Sequence, residues 1–247
     1  MIYADDLAYV HHAGFGDYAR RAAPEVMRLL ARRSPFSPAR GRSLVVEFGC
    51  GGGTTAAYLA DHGFRVLGVD QSPAMVKLAR KTAPGARFQR GTLATTRLPR
   101  CGAILALGEV VNYLAGRRAD SRAHDRQLFR FFARAARALE PGGLLLFDFM
   151  ESARRRTYDA MSRSGDDWAV ITSARADGRL LTRRITTVRS IHRKLRVAQE
   201  THHVRLYGRR TIAAALGRAG FDVAMRRSIG RVQVIRGDAV AFADIPS

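Results

Sequence analysis

Leu44-Val45-Val46-Glu47-Phe48-Gly49-Cys50-Gly51-Gly52-Gly53-Thr54 is the stretch on which the fold turns. Its first five residues form an apolar, β-branched run with one acid, the pattern of a strand buried inside a sheet. Alternating glycines follow at 49, 51 and 53, and a helical pattern begins at once at Thr54. Glycine serves such a turn twice. It permits the tight strand-to-helix reversal, and it lets a ligand approach the backbone with no Cβ in the way. A second apolar strand ends at Asp70, 17 residues after Gly53. Its carboxylate can accept both hydroxyls of a ribose.

On either side of this turn, strand and helix patterns alternate. Ser43–Phe48, Phe64–Val69, Ala86–Arg90, Cys101–Leu107 and Leu144–Phe149 read as strands. Thr54–His62, Ser72–Thr82 and Arg118–Leu139 read as helices, punctuated by Gly63, Pro84 and Pro141-Gly142-Gly143. Such alternation implies parallel βαβ units and a sheet covered on both faces. Residues 1–34 read as helical, up to the breakers Pro35, Pro38 and Gly41. After residue 165 the pattern changes. Trp168–Arg175, Arg179–Ile191 and Lys194–Tyr207 are strand-like runs parted by Asp177-Gly178 and His192-Arg193, an antiparallel meander. Arg210–Ala219 returns to helix, and Phe221–Arg226 with Arg231–Ile235 is expected to close the sheet as a hairpin. The expected architecture is one α/β domain: a Rossmann-like, mostly parallel seven-stranded sheet with flanking helices. A helical lid spans 1–40, a core 41–150, the antiparallel insertion 165–208, and the return to the core 209–247.

Composition bounds the function. The 247 residues hold 42 Lys+Arg against 21 Asp+Glu, a net charge of +21. That charge suits a polyanion partner. Yet 39 of the 42 basic residues are arginine, and they are spread from Arg20 to Arg236. This is the pattern of a GC-rich coding sequence, so nucleic acid is a possible partner but not the favoured one. No apolar run reaches the ~20 residues of a membrane helix, and the first 21 residues lack a secretory h-region. Cys50 and Cys101 have no metal-type spacing, and no metal is expected. A cytoplasmic protein without a membrane partner is the expectation.

The pattern strand, Glu47-x-Gly49-x-Gly51-x-Gly53, helix, strand, Asp70 resembles the class I S-adenosylmethionine-dependent methyltransferases, in their bacterial small-molecule form. The dehydrogenase fingerprint differs, because its glycines hold a pyrophosphate that acids at these places would repel. Gly68–Met75, Phe88–Leu93, Ala106–Tyr113 and Leu139–Leu145 resemble the family's later motifs, and the late meander resembles that of its aminosugar dimethyltransferases. The resemblance implies S-adenosylmethionine as cofactor and S-adenosylhomocysteine as product. It implies Glu47 organising the loop and the aminoacyl end, Gly49, Cys50 and Gly51 lining the approach, and Asp70 on the ribose. Gln71, Ser72 and Met75 would flank the adenosine. Thr92 and Leu93 would meet the adenine, although many members have an acid where this chain has Thr92. Leu107, Gly108 and Glu109 would stand where cofactor meets substrate.

Methyl transfer to nitrogen or oxygen is an in-line displacement, so a base is needed only for a protonated nucleophile. Candidate catalytic residues are His11 in the lid, Tyr113 after the fourth strand and Asp148 near the end of the fifth. His12, also in the lid, could equally be a base near neutral pH, and Tyr3 could close over the cofactor. Glu200 and His202 share one face of the last meander strand, expected to be exposed or to form a homodimer, with His203 on the other. A small-molecule methyltransferase is the leading expectation. An RNA or DNA methyltransferase and a non-catalytic cofactor-binding module are the alternatives. Gly108-Glu109-Val110-Val111 stands where adenine N-methyltransferases carry Asn/Asp-Pro-Pro-Tyr/Phe.

Overall fold

The computed structural model describes residues 2–36, 43–113, 121–152, 157–229, 232–233 and 239–244. Pro38, Gly41 and residues 118–120 of the expected long helix lie outside them. The core alternates β1 (Leu44–Phe48), α3 (Thr54–Asp61), β2 (Arg65–Asp70), α4 (Pro73–Thr82), β3 (Arg87–Arg90), β4 (Cys101–Ala106), α5 (Ser121–Ala138) and β5 (Leu139–Phe149). Two helices, α1 (Asp5–Phe15) and α2 (Asp17–Ala31), precede it. The meander β6 (Tyr158–Ser164), β7 (Trp168–Asp177), β8 (Leu180–Ile191) and β9 (Lys194–Arg205) follows. The chain then forms α6 (Arg209–Arg218), β10 (Asp222–Arg226), the short β11 (Ser228–Ile229) and β12 (Val232–Gln233), and β13 (Ala239–Asp244).

The main sheet has seven strands in the order β10-β13-β5-β4-β1-β2-β3, with β1 to β5 parallel and β13 antiparallel to both β5 and β10. The Rossmann-like, mostly parallel sheet is therefore present. All five residues of β1 are buried, as a central strand covered on both faces requires. One face packs Phe131, Phe132 and Ala135 of α5 against Val46, Phe48 and Phe147. The other packs Ala22, Val26 and Leu30 of α2 with Val45 and Leu146. Each such phenylalanine contributes about 1.5–3 kcal/mol by leaving water.

Three expectations need correction. β13, not Arg231–Ile235, pairs with β10; Val232–Gln233 pairs only with β11, and the rest of 231–235 lies outside the described residues. A distant strand won because Val240, Ala241 and Ala243 fill the sheet interior. β5 begins at Leu139 rather than Leu144, with a register shift that absorbs residues 140–143 opposite Cys101 and Ala103. The meander has four strands, since β6 pairs with β7. Tyr158–Ser164 was missed because six of its seven residues are exposed and it carries no apolar alternation.

The helical N-terminus divides at Gly16. α1 and the segment before it lie against the meander, and α2 touches it through Asp17, which pairs with Arg163 of β6 at 3.7 Å. Leu7 and Val10 pack on Val170 and Ile185, while Asp6 pairs with Arg189 at 3.6 Å and with Arg196 at 3.0 Å. Arg189 also sits 3.6 Å over the ring of Tyr9.

Candidate active site

A cavity opens at the carboxyl ends of β1, β2 and β4, the edge where open α/β sheets bind ligands. Gly49, Gly51, Asp70, Gln71, Met75, Thr92, Leu93, Leu107 and Gly108 line it, as do His11 and Tyr113. Glu47, Cys50, Glu109 and Asp148 do not line it.

Gly49 and Gly51 both have left-handed backbones, with φ of +63° and +52°. Their reasons differ. A Cβ on Gly49 would meet Val110 Cγ2 at 2.3 Å, so that glycine lets the segment after β4 approach. A Cβ on Gly51 would meet nothing nearer than Gly49 O at 4.0 Å. The space beside Gly51 belongs to the cavity.

Asp70 holds this loop. Its Oδ2 accepts from Gly51 N at 3.0 Å, and its Oδ1 accepts from Ser72 N at 2.9 Å. Burial raises its carboxyl above the usual range, against the pull of those amide bonds. Ser72 in turn caps α4 through Met75 N and donates its hydroxyl to Tyr3 O at 2.6 Å. Thr92 spends its hydroxyl inside its own loop, accepting from the amides of Ala94 and Thr95.

Glu47 sits beneath the loop, and its Oε2 is buried with no partner among the described residues. Burial pushes its carboxyl up to about 8, opposed by the hydrogen bond from Thr55. Cys50 is buried and its thiol is pushed well up by that burial, so it is no nucleophile.

Asp148 is fully buried. Its Oδ1 accepts from Gly108 N and Glu109 N, each at 2.8 Å, and its Oδ2 accepts from Tyr18 OH at 3.1 Å. It fastens the segment after β4 to α2 rather than meeting the cavity. Burial pushes its carboxyl up to about 7, against the bond from Glu109 N.

These two acids set a pH signature. Both carry folded values above their ordinary 4.5 and 3.8, so both prefer their proton in the fold. The stability they supply is complete below about pH 4 and is lost as pH rises through 7 to 8. Glu47→Gln should flatten that decline. Melting temperatures of wild type and variant from pH 6 to 9 check it, and parallel slopes would refute it.

A strap at residues 2–4 crosses the cavity. Ile2 and Tyr3 line it, and Glu200 of β9 accepts from Tyr3 N at 2.7 Å and Ala4 N at 2.9 Å. His202 is fully buried and bonds Glu200 through Nε2 at 2.9 Å. Glu200 and His202 are therefore turned inward rather than exposed, because α1 and the strap cover them. His11 packs edge-on against Tyr3, and burial pushes its imidazole down to about 4, leaving it neutral. His12 lies over the glycine loop, with Nδ1 2.2 Å from a Cβ built on Gly52.

Sequence reasoning missed His124, Gln127 and Leu128, one face of α5 that lines the cavity. Their i, i+3, i+4 spacing marks a shared face but not what it faces. It also missed Arg183 of β8, which pairs with Glu109 at 3.3 Å. Nothing local distinguishes this arginine from its neighbour Arg184.

None of the described residues lining the cavity is lysine or arginine. Among these described residues a pyrophosphate would find no counter-charge. An uncharged adenosine with a cationic sulfur suits the open glycine cradle, the carboxylate of Asp70 and the unpartnered Glu47 oxygen below. Among the described residues no cluster of three His, Cys, Asp or Glu could hold a metal, and no helix is long and apolar enough to cross a membrane.

A methyltransferase-domain profile matches residues 17–225. The chain belongs to that methyltransferase family. Among curated relatives it is 30% identical over 171 residues to a trans-aconitate 2-methyltransferase of Methylobacterium radiotolerans, covering 67% of this chain and 59% of the relative. The chain spans between 51% and 59% of the length of the curated relatives it matches. The sugar N-methyltransferase KedS8 of Streptoalloteichus shares the fold with a TM-score of 0.78 at 19% identity, over 100% of this chain and 97% of that one. CalS10 of Micromonospora echinaspora, an amino pentose methyltransferase solved with S-adenosylmethionine bound, gives 0.75 at 20% identity, over 99% and 98%. This family member thus has the class I S-adenosylmethionine-dependent methyltransferase fold.

Proposed function

We propose that the chain moves a methyl group from S-adenosylmethionine to a nitrogen or oxygen of a small molecule. The cavity at the carboxyl ends of the central strands, floored by the open backbone of Gly51 and lined by Asp70 in a methyltransferase-family chain, is the observation that carries this reading. The bound cofactor supplies an electrophilic methyl on a sulfonium. The protein's part is alignment and exclusion of water. Asp70 holds the glycine loop and faces the ribose. Met75, Leu93 and Leu107 give the adenosine apolar walls. Tyr3, His11 and Tyr113 enclose the acceptor. A small acceptor is favoured over nucleic acid because the strap and α1 roof the cavity, and because the arginines are dispersed.

The test is calorimetry with S-adenosylhomocysteine, then labelled methyl transfer to panels of amines, hydroxy compounds, carboxylic acids and RNA. Micromolar binding is expected, ~−8 kcal/mol. Asp70→Ala should weaken it by about 1–3 kcal/mol. An unchanged dissociation constant in that variant sinks the ribose role, and steeply salt-dependent RNA methylation sinks the small-molecule reading.

A further inference from the structure

Arg183 lies on the inner face of β8, in register with Ala174 of β7 and His202 of β9. Its guanidinium donates to Tyr113 OH at 3.1 Å and to Glu109 Oε2 at 3.3 Å. Tyr113 OH lies 3.2 Å from Tyr3 OH. Both tyrosines line the cavity.

Counting hydrogens shows what this chain leaves over, whichever tyrosine donates to the other. A guanidinium cannot accept, so the Tyr113 oxygen accepts from Arg183. One hydroxyl hydrogen fills the link between the two tyrosines. The second has no protein acceptor among the described residues and is left to the cavity. Neither phenol gives up its proton readily. Burial pushes Tyr3 well up, and burial also raises Tyr113 against the pull of Arg183. Burial works against the charge of Arg183, but Tyr113, Glu109 and Tyr3 outweigh it and hold it protonated. The pair is therefore a donor polarised by a cation, not a base.

We propose that Arg183 is a positioning residue for the acceptor molecule: through Tyr113 it sets the tyrosine pair as a hydrogen-bond donor, and the acceptor presents an oxygen beside its nucleophilic atom. This rests on the methyl-transfer reading above. The donor cannot serve an amine nucleophile, whose single lone pair must form the new bond, and on an oxygen nucleophile it would draw away the electron density that the new bond needs. It serves a neighbouring hydroxyl, ether, carbonyl or carboxylate oxygen. The acceptor class is then a hydroxy amine, a polyol or a carboxylic acid, and a bare alkyl amine is excluded. Glu109 keeps its place in this device: it neutralises Arg183, so the site does not select for anions by charge alone.

The test uses the full chain saturated with S-adenosylhomocysteine, so that acceptor affinity is read without turnover. The probes are trans-2-aminocyclohexanol and cyclohexylamine, a pair differing by one hydroxyl, together with whichever acceptor the labelled screen identifies. Wild type should bind the hydroxylated probe about tenfold more tightly. Tyr113→Phe keeps the Arg183–Glu109 pair and should erase that preference, raising acceptor KM about tenfold with kcat within threefold and S-adenosylhomocysteine affinity unchanged. Arg183→Gln should do the same; if the uncompensated Glu109 unfolds it, Tyr113→Phe carries the test alone. Equal binding of the two probes to wild type, or a preference that survives in Tyr113→Phe, overturns the proposal. Failure of wild type to bind S-adenosylhomocysteine overturns the methyl-transfer reading beneath it.

Discussion

Gly51→Val is expected to reduce S-adenosylhomocysteine affinity at least about a hundredfold, about 2.8 kcal/mol. The cause is placement rather than size. Gly51 has a φ of +52°, and beyond its own chain neighbours the nearest atom to where its Cβ would stand is Gly49 O at 4.0 Å. The protein therefore does not push the new side chain away, and the valine methyls fill the space the ligand needs. A β-branched residue at positive φ adds strain of about 1–3 kcal/mol, which is felt by the fold. Melting temperature separates the two effects, because strain lowers it and blockage does not. A folded variant that binds as tightly as wild type would mean that the cavity beside Gly51 is not the cofactor site. Gly49→Ala is a poorer probe, since its Cβ strikes Val110 and any loss could be one of folding.

Asp148→Ala carries the largest expected cost to the fold. The substitution strands three donors at once: the buried amide of Glu109 and the half-buried amide of Gly108 and hydroxyl of Tyr18. Each unmet donor costs about 1–3 kcal/mol, so a loss of about 4 kcal/mol and a fall in Tm of about 10 °C follow. Asp148→Asn separates charge from hydrogen bonding. Its carbonyl can still accept from both amides and its NH2 can donate to Tyr18, so it should melt within about 4 °C of wild type. If alanine melts as high as asparagine, the carboxylate is not what fastens Gly108 and Glu109.

The alternating core was legible because the central parallel strands β1, β2, β4 and β5 are largely apolar and each helix has its own punctuation. Asp70 was legible for the same reason: it is the polar residue that ends such a run. Asp148 looked equally placed, between Phe147 and Phe149, yet its role depended on Tyr18, 130 residues away. Arg183 was invisible. It is one of 39 arginines, and only the folding of β8 over Tyr113 separates it from the rest. The inward turn of Glu200 and His202 was hidden in the same way. Strand alternation put them on one face, but their partners are backbone amides of residues 3 and 4. The final strand was misplaced because pairing partners are chosen by the sheet interior, not by proximity along the chain.

β13 sits between β5 and β10 although it is the last strand described. A ribosome releasing this chain exposes a half-built sheet for as long as residues 239–244 are still in the exit tunnel. During that interval the apolar edge of β5, with Leu144 to Phe149, has no neighbour on one side. Proteolytic loss of those few residues would recreate the same raw edge, and with it a surface primed for self-association.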